Sequence, residues 1–196
     1  MAKLYFRYGV MGSSKSAQAL ITKFNYEEQG MRVWLIKPAA DTRYGADKVH
    51  SRIGLEQPAD VIDDDMDLYE VFRDREREFY DVIIVDEAQF LQPAHVEQLR
   101  EIVDYYNVPV FCFGLRTDFR TRLFPGSARL FELADSVTEL KTVCTGGGKA
   151  MVNARIDAEG RVVTEGEQFL LGGNESYRPM CYKCWKKAAL ESKSEK

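Results

Sequence analysis

The first two thirds of the chain alternate between short apolar runs and amphipathic stretches. Lys3–Tyr8 sets Leu4, Phe6 and Tyr8 on one face and reads as a strand ending at Gly9. Ser16–Gln29 has helical spacing, with Ala19, Leu20, Ile21 and Phe24 as its apolar stripe and Gly30 as its terminator. Arg32–Ile36 is a second strand, stopped by Pro38, and the turn-rich, charged stretch Lys37–Arg52 reads as a loop. Asp67–Phe79 fits a helix. Asp81–Asp86 (DVIIVD) is a continuous apolar strand of the kind covered on both faces. Pro93 opens a helix to Tyr106 with Val96, Leu99, Ile102 and Val103 inward, and Val108–Leu115 is the next buried strand. Ser127–Ala134 is a short helix and Ser136–Leu140 the last strand of the series. Such alternation predicts an α/β fold, a mainly parallel sheet with helices on both faces.

After Lys141 the pattern becomes loop-rich. Val152–Ile156 and Arg161–Thr164 suit a hairpin across Asp157–Gly160, Gly172-Gly173-Asn174 makes a turn, and Cys181-Tyr-Lys-Cys184 leads into a short helix. The expected division is a main domain over 1–141, a small lobe over 142–191 and a frayed tail over 192–196. With 196 residues, 45% hydrophobic and 30% charged, the chain suits one ordinary globular domain with an appendage and excludes a fibre or a disordered segment. No apolar run approaches the roughly 20 residues of a membrane span, and Met1-Ala2-Lys3 leads straight into a strand, so a cytoplasmic protein with no membrane partner is expected. A net charge of -4 offers no general grip on nucleic acid.

The chemistry begins between the first strand and the first helix. Gly9-Val10-Met11-Gly12-Ser13-Ser14-Lys15-Ser16 matches the phosphate-loop pattern except that Ser14 stands where a second glycine is usual, a position that can demand unusual torsions. Backbone N–H groups of such a turn, with the helix N-terminus behind them, cradle polyphosphate. Lys15 would reach the β and γ phosphates of ATP and Ser16 would ligate Mg²⁺. Val82–Val85 followed by Asp86 is a Walker B strand, whose aspartate holds Mg²⁺ at the carboxyl end. Adjacent side chains of a strand diverge, so Asp86 can face the metal while Glu87 faces a substrate. An acid at Glu87 suits either an ATPase that activates water or a kinase that takes a hydroxyl proton. Asp86-Glu-Ala88-Gln89 also spells a helicase box, but a helicase needs a second lobe and a strand-binding channel.

Five stretches, in order, resemble the type II (cytosolic-type) thymidine kinase family: Gly9–Ser16, Lys37–Tyr44, Val85–Phe90, Phe113–Phe119 and Gly166–Tyr177. The resemblance spans nearly the whole chain and implies a P-loop NTPase-like sheet with a zinc-ribbon-like lasso. It implies transfer of phosphate from ATP to thymidine, with Glu87 as general base. The loop from Gly9 to Ser16, with Asp86, Glu87, Ala88 and Gln89, would handle ATP, and Arg43 the transferring phosphate. Asp41 would contact the sugar, and Met11, Phe90, Leu115 and Phe119 would line the base pocket. The backbone of Gln168, Phe169, Leu170, Leu171 and Gly172 would bond the thymine edges, with Tyr177 closing the site. A homotetramer and feedback inhibition by dTTP are implied as well. Each residue also has a plainer reading: Phe90, Leu115 and Phe119 as core, Tyr177 as a turn residue, Asp41 and Arg43 as an exposed ion pair. A broader deoxynucleoside kinase accepting deoxyuridine, an ATPase without acceptor, and a non-catalytic metal-organised module are the rival functions. His50 and His95 take no role.

The family's lobe usually carries structural zinc on two cysteine pairs. Cys144, Cys181 and Cys184 are present here, but Thr145–Gly148 supplies no fourth ligand, and structural zinc sites close with four. Weak, substoichiometric zinc is therefore expected. Cys112, inside an apolar strand, reads as a small core residue.

Overall fold

The computed structural model describes residues 1–42, 45, 47–74, 80–168 and 176–194. Strands β1 (Leu4–Tyr8), β2 (Val33–Pro38), β5 (Asp60–Ile62), β6 (Val82–Val85), β7 (Val110–Gly114) and β8 (Ser136–Glu139) form one sheet in the order β5-β2-β6-β7-β1-β8. Every pairing in it is parallel. Period-two alternation sorts its side chains onto two cores. Ile83, Val85, Val110, Cys112, Leu4 and Phe6 face one side, where α2 (Leu68–Asp74), α3 (Pro93–Tyr106) and α4 (Pro125–Leu133) cover them. Val82, Ile84, Phe111 and Phe113 face the other, under α1 (Lys15–Glu27). The expected parallel sheet with helices on both faces is thus what forms. Cys112 is fully buried, as expected, and burial pushes its thiol far above the usual range.

Three local expectations are corrected. In α1, Ile21 and Phe24 are 46% and 59% exposed, because the helix turns Ala19, Leu20 and Tyr26 toward the sheet. Tyr26 there packs on Phe111 with ring centroids 5.8 Å apart. The stretch Lys37–Arg52 is not all loop: β3 (Lys48–His50) pairs antiparallel with β4 (Glu56–Pro58), and β2 runs on to Pro38. The cross-strand Lys48–Glu56 ion pair (2.8 Å) and ladder hydrogen bonds hold a hairpin with too little apolar content to show as strands. The last helix, α5 (Tyr182–Ser194), is longer than expected and continues through Ser192 and Lys193. The expected helical residues 75–79 lie outside the described residues.

Beyond the main sheet, β9 (Val152–Ile156) is flanked antiparallel by β10 (Val162–Val163) and β11 (Tyr177–Met180). The expected hairpin is the β9–β10 pair, and β11 adds a third strand to it. Val10 of the phosphate loop packs with Cys144 and Ala150, joining the small sheet to the large one.

Candidate active site

β1 ends in the phosphate loop and β6 ends in Asp86, with β7 between them. Gly9 approaches so closely that a Cβ there would meet Ser13 Oγ at 2.3 Å and the Leu140 carbonyl at 2.6 Å. Ser14 adopts the left-handed conformation (φ 61°, ψ 28°), the torsion a glycine would take at that place. Lys15 is buried, 7% exposed, and its ammonium donates to the Val10 carbonyl (2.8 Å) and Ser13 Oγ (3.4 Å). The Ser16 hydroxyl reaches the Asp86 carboxylate. Asp86 is 4% exposed, and its Oδ1 has no hydrogen-bond partner. Burial, then repulsion from Glu87, pushes its pKa up to about 7. A hydroxyl beside a desolvated carboxylate with a spare oxygen fits a hard divalent cation such as Mg²⁺.

Met11, Gly12, Ser14, Lys15, Ser16, Asp41, Asp86 and Glu87 line one cavity of about 340 Å³. The β3–β4 tip, Ser51, Arg52 and Ile53, with His50 beside it, closes the same cavity. Sequence reading missed this hairpin and assigned His50 no role. Asp41 is not half of an exposed pair: it is buried and bound to the fully buried Lys37 at 2.9 Å. Lys37 also donates to the carbonyls of Gly45 and Lys48 (3.2 Å each), so its three ammonium hydrogens pin the loop that carries Asp41. Arg43 lies outside the described residues.

Glu87 sits at φ 50°, ψ 37°, where the chain leaves β6 for the 3-10 turn Ala88–Phe90. Such a torsion is costly for a side-chain-bearing residue and swings the carboxylate out of the strand's alternation. Its Oε2 accepts a 2.5 Å hydrogen bond from Gln89 Nε2, and Gln89 Oε1 accepts from the Leu115 N–H at 2.8 Å. Gly114 must lack a side chain for this, since a Cβ would lie 2.9 Å from Gln89 Oε1. Gln89 therefore orients Glu87 rather than lining the phosphate cavity, and Ala88 is buried in the main core. Neither is among the residues that line the phosphate cavity.

A second, narrow cleft of about 30 Å³ opens from the first and is lined by Met11, Glu87, Phe90, Leu115, Phe119, Phe124, Gln168 and Tyr177. Phe90 meets Phe124 edge-on at 5.7 Å. The buried Asp118 accepts from the backbone N–H groups of Arg120 and Arg122 (2.9 Å each) and so shapes the turn carrying Phe119. All the described side chains expected at the base pocket thus converge; Phe169, Leu170, Leu171 and Gly172 lie outside the described residues. Asn153 Oδ1 accepts from the Met11 N–H at 2.7 Å while its Nδ2 donates to the Thr117 carbonyl at 3.3 Å, tying the small sheet to both loops. Asn153 and Arg155 were missed. The available signal was two polar side chains inside the otherwise apolar VNARI strand.

A family model described as "Thymidine kinase" matches residues 2–185. The chain belongs to the thymidine kinase family. It is 47% identical over 187 residues to the thymidine kinase of Enterobacteria phage T4, covering 94% of this chain and 96% of that one. It is 46% identical to that of Legionella pneumophila strain Philadelphia 1, and 45% to that of Salmonella typhimurium, each match covering 97% of this chain and over 90% of the relative. The resemblance drawn from the five motifs is borne out.

In the small lobe of this family member, the Sγ atoms of Cys144, Cys181 and Cys184 lie within 4.8 Å of one another. Backbone N–H groups of Gly146 and Cys184 point at the sulfurs of Cys144 (3.4 Å) and Cys181 (3.5 Å). Hydrogen bonds, first from the Cys181 backbone, pull the Cys144 thiol down to about 7. The donors fit a soft metal ion, but they number three. A Cβ on Gly146 would lie 2.6 Å from Cys184 Sγ and 3.8 Å from Cys144 Sγ, and one on Gly148 3.5 Å from Cys181 Sγ, so glycines stand where the loop faces the cluster. Among the described residues no helix is long and apolar enough to cross a membrane.

Proposed function

We propose that the chain transfers the γ-phosphate of ATP to the 5′-hydroxyl of thymidine, giving ADP and dTMP, with Glu87 as general base. One observation carries this reading: Glu87 lines both the phosphate cavity and the apolar cleft, together with Met11 and Leu115. A carboxylate at the junction of a polyphosphate site and a flat apolar slot suits an acceptor whose ring enters the slot and whose hydroxyl meets the phosphate. Glu87 would take the hydroxyl proton while Gln89 holds its other face. Lys15 would neutralise the β and γ phosphates, and Asp41 would contact the sugar. Ser16 and Asp86 would hold Mg²⁺, which supplies charge neutralisation on the phosphates when bound. Transfer of this kind rests on positioning and charge rather than covalent chemistry by the protein.

The family resemblance supports four finer parts of the same reading. They are a homotetramer, feedback inhibition by dTTP, a cytoplasmic place in pyrimidine salvage for DNA synthesis, and a lobe over 142–191 that closes on the nucleoside. Zinc, where bound, would take the thiolates of Cys144, Cys181 and Cys184. The deciding experiment incubates the protein with ATP and Mg²⁺, with and without thymidine or deoxyuridine, and measures ADP. Thymidine-dependent release is expected. Release independent of any nucleoside would replace the kinase with an ATPase, and equal turnover of deoxyuridine would broaden the acceptor.

A further inference from the structure

Arg155 is a buried cation in an apolar place. It lies in β9 between Ala154 and Ile156, is 4% exposed, and pairs with no carboxylate among the described residues. Its guanidinium carbon sits 3.7 Å from the centroid of the Phe119 ring. Nε and Nη2 donate to the Tyr177 hydroxyl at 3.1 and 2.8 Å, Nη1 donates to the Glu167 carbonyl at 3.0 Å, and Nη2 reaches the Gln168 carbonyl at 3.5 Å. The strand register sets Arg155 directly opposite Tyr177.

Burying an ion without an opposite charge costs several kcal/mol unless its donors are well satisfied, and an apolar side chain of similar length would avoid that cost. What an apolar side chain cannot do is hold three directions at once. The planar guanidinium can, because its face stacks on a ring while its edge donates in fixed directions. The three groups it holds, Phe119, Gln168 and Tyr177, come from separate stretches of chain and all line the apolar cleft. Phe119 follows β7 in the large sheet, and Tyr177 opens β11 in the small one. One side chain therefore ties the two sheets together at the walls of the slot.

We propose that Arg155 is the positioning residue of the nucleoside site: it sets the Phe119 ring, the Tyr177 phenol and the Gln168 carbonyl at the spacing that admits a pyrimidine. The inference rests on the kinase reading above and assigns a residue that reading does not use. Arg155 does not touch the reacting atoms. Its loss acts on nucleoside binding and leaves the phosphate loop with its own contacts, since the groups Arg155 bonds or stacks on, Phe119, Tyr177, Glu167 and Gln168, lie outside that loop.

The test measures turnover with ATP and thymidine varied separately, alongside calorimetric thymidine binding, for the wild type, Arg155→Ala, Arg155→Lys and Tyr177→Phe. Arg155→Ala is expected to raise the thymidine KM and Kd about tenfold or more, the scale of lost charge-assisted hydrogen bonds, with the ATP KM held within about twofold. Its kcat falls by much less than KM rises. Added guanidinium ion restores part of the thymidine affinity in Arg155→Ala and none in the wild type. Arg155→Lys keeps the charge without the fork and lies between. A folded Arg155→Ala with wild-type thymidine KM, or with ATP and thymidine parameters impaired alike, overturns the proposal. If Arg155→Ala does not fold, Tyr177→Phe decides, since it removes only the phenol's two hydrogen bonds. It should raise the thymidine KM by more than it lowers kcat, and an unchanged KM overturns the proposal. A wild type without thymidine-dependent turnover overturns the kinase reading and this inference with it, whereas wild-type turnover with unshifted variants overturns this inference alone.

Discussion

At the phosphate end of the cavity, the polar groups stand on the rim of a single parallel sheet: Lys15 and Ser16 just past β1, Asp86 just past β6. At the base end, Phe90 and Leu115 come from the same rim, but Phe119, Gln168 and Tyr177 are held by Arg155 of a different, antiparallel sheet. The first half is built from two short contiguous motifs, the strand–turn–helix Gly9–Ser16 and the strand end Val82–Asp86, which the parallel sheet sets one strand apart. The second is made of residues brought together over long sequence separations by side-chain hydrogen bonds. Phosphates are alike in every nucleotide, so a local loop is enough to bind them. A pyrimidine must be told from other rings, and shape selection needs walls on several sides.

The largest effect expected lies at the junction of the two halves. Glu87→Gln keeps the side-chain length and can still meet Gln89, yet it cannot accept the hydroxyl proton. Turnover should fall by about a hundredfold or more while ATP and thymidine still bind, as judged by calorimetry beside steady-state rates. Near-normal turnover would move the base to another group and dissolve the junction.

A change confined to the phosphate half sharpens the contrast. Lys15→Ala removes both the charge and the bonds to Val10 and Ser13. ATP affinity should fall about tenfold or more, with thymidine binding measured alone shifting by less than about twofold. Equal losses for both ligands would mean that the halves are not separable.

The same half should respond to pH through Asp86. Its pKa in the fold is raised to about 7, so the metal-free protein binds a proton there that the unfolded chain does not. That group therefore contributes less stability to the metal-free fold as pH rises from the ordinary carboxylate range toward 7. Mg²⁺ binding must displace the proton, so affinity for Mg²⁺ with ATP should weaken as pH falls below about 7, by at most about tenfold per unit. Titrations at several pH values check this, and Asp86→Asn should flatten the dependence. Thymidine binding without ATP should not follow the same curve.

The smallest effect on turnover is expected at the far end of the small lobe. The protein as isolated should carry clearly less than one zinc per chain by elemental analysis, because three thiolates leave a tetrahedral site open. Gly146→Cys should raise the zinc content and protect the lobe from proteolysis, since that position faces the cluster. Gly147→Cys should not, because Gly147 has φ +80° and nothing within 4 Å of its Cβ direction. Full, chelator-resistant zinc in the unaltered chain would require a fourth donor.

Most of the main sheet was legible because its signals are local. Val82–Val85 is apolar at every position and is buried at every position. The α3 face of Val96, Leu99, Ile102 and Val103 is buried as its spacing predicts. Even the irregular Ser14 announced itself, as the one departure from a glycine pattern at a place that can demand unusual torsions, and its φ is positive. Where apolar content was low or evenly spread the reading failed. Lys48–His50 and Glu56–Pro58 are strands by virtue of pairing with each other, and Ile21 and Phe24 fall outside the buried face of α1 although their spacing suited it.

By itself, then, the order of residues determined the strand–helix alternation, the phosphate loop, the acid pair Asp86-Glu87 and the family to which the chain belongs. The first three depend on neighbours within about a dozen positions, the reach of backbone periodicity and of contiguous motifs, and the family on five such stretches taken in order. Tertiary structure alone decided that Lys37 pins Asp41, that Gln89 orients Glu87 from beneath Leu115, that Asn153 ties the small sheet to Met11, and that Gly146 faces the thiols of Cys144 and Cys184. It also decided that Arg155 holds Phe119 and Tyr177 together. A buried polar group must find a partner, but nothing in its sequence neighbourhood names which one, because the partner is chosen by how the sheets close on each other.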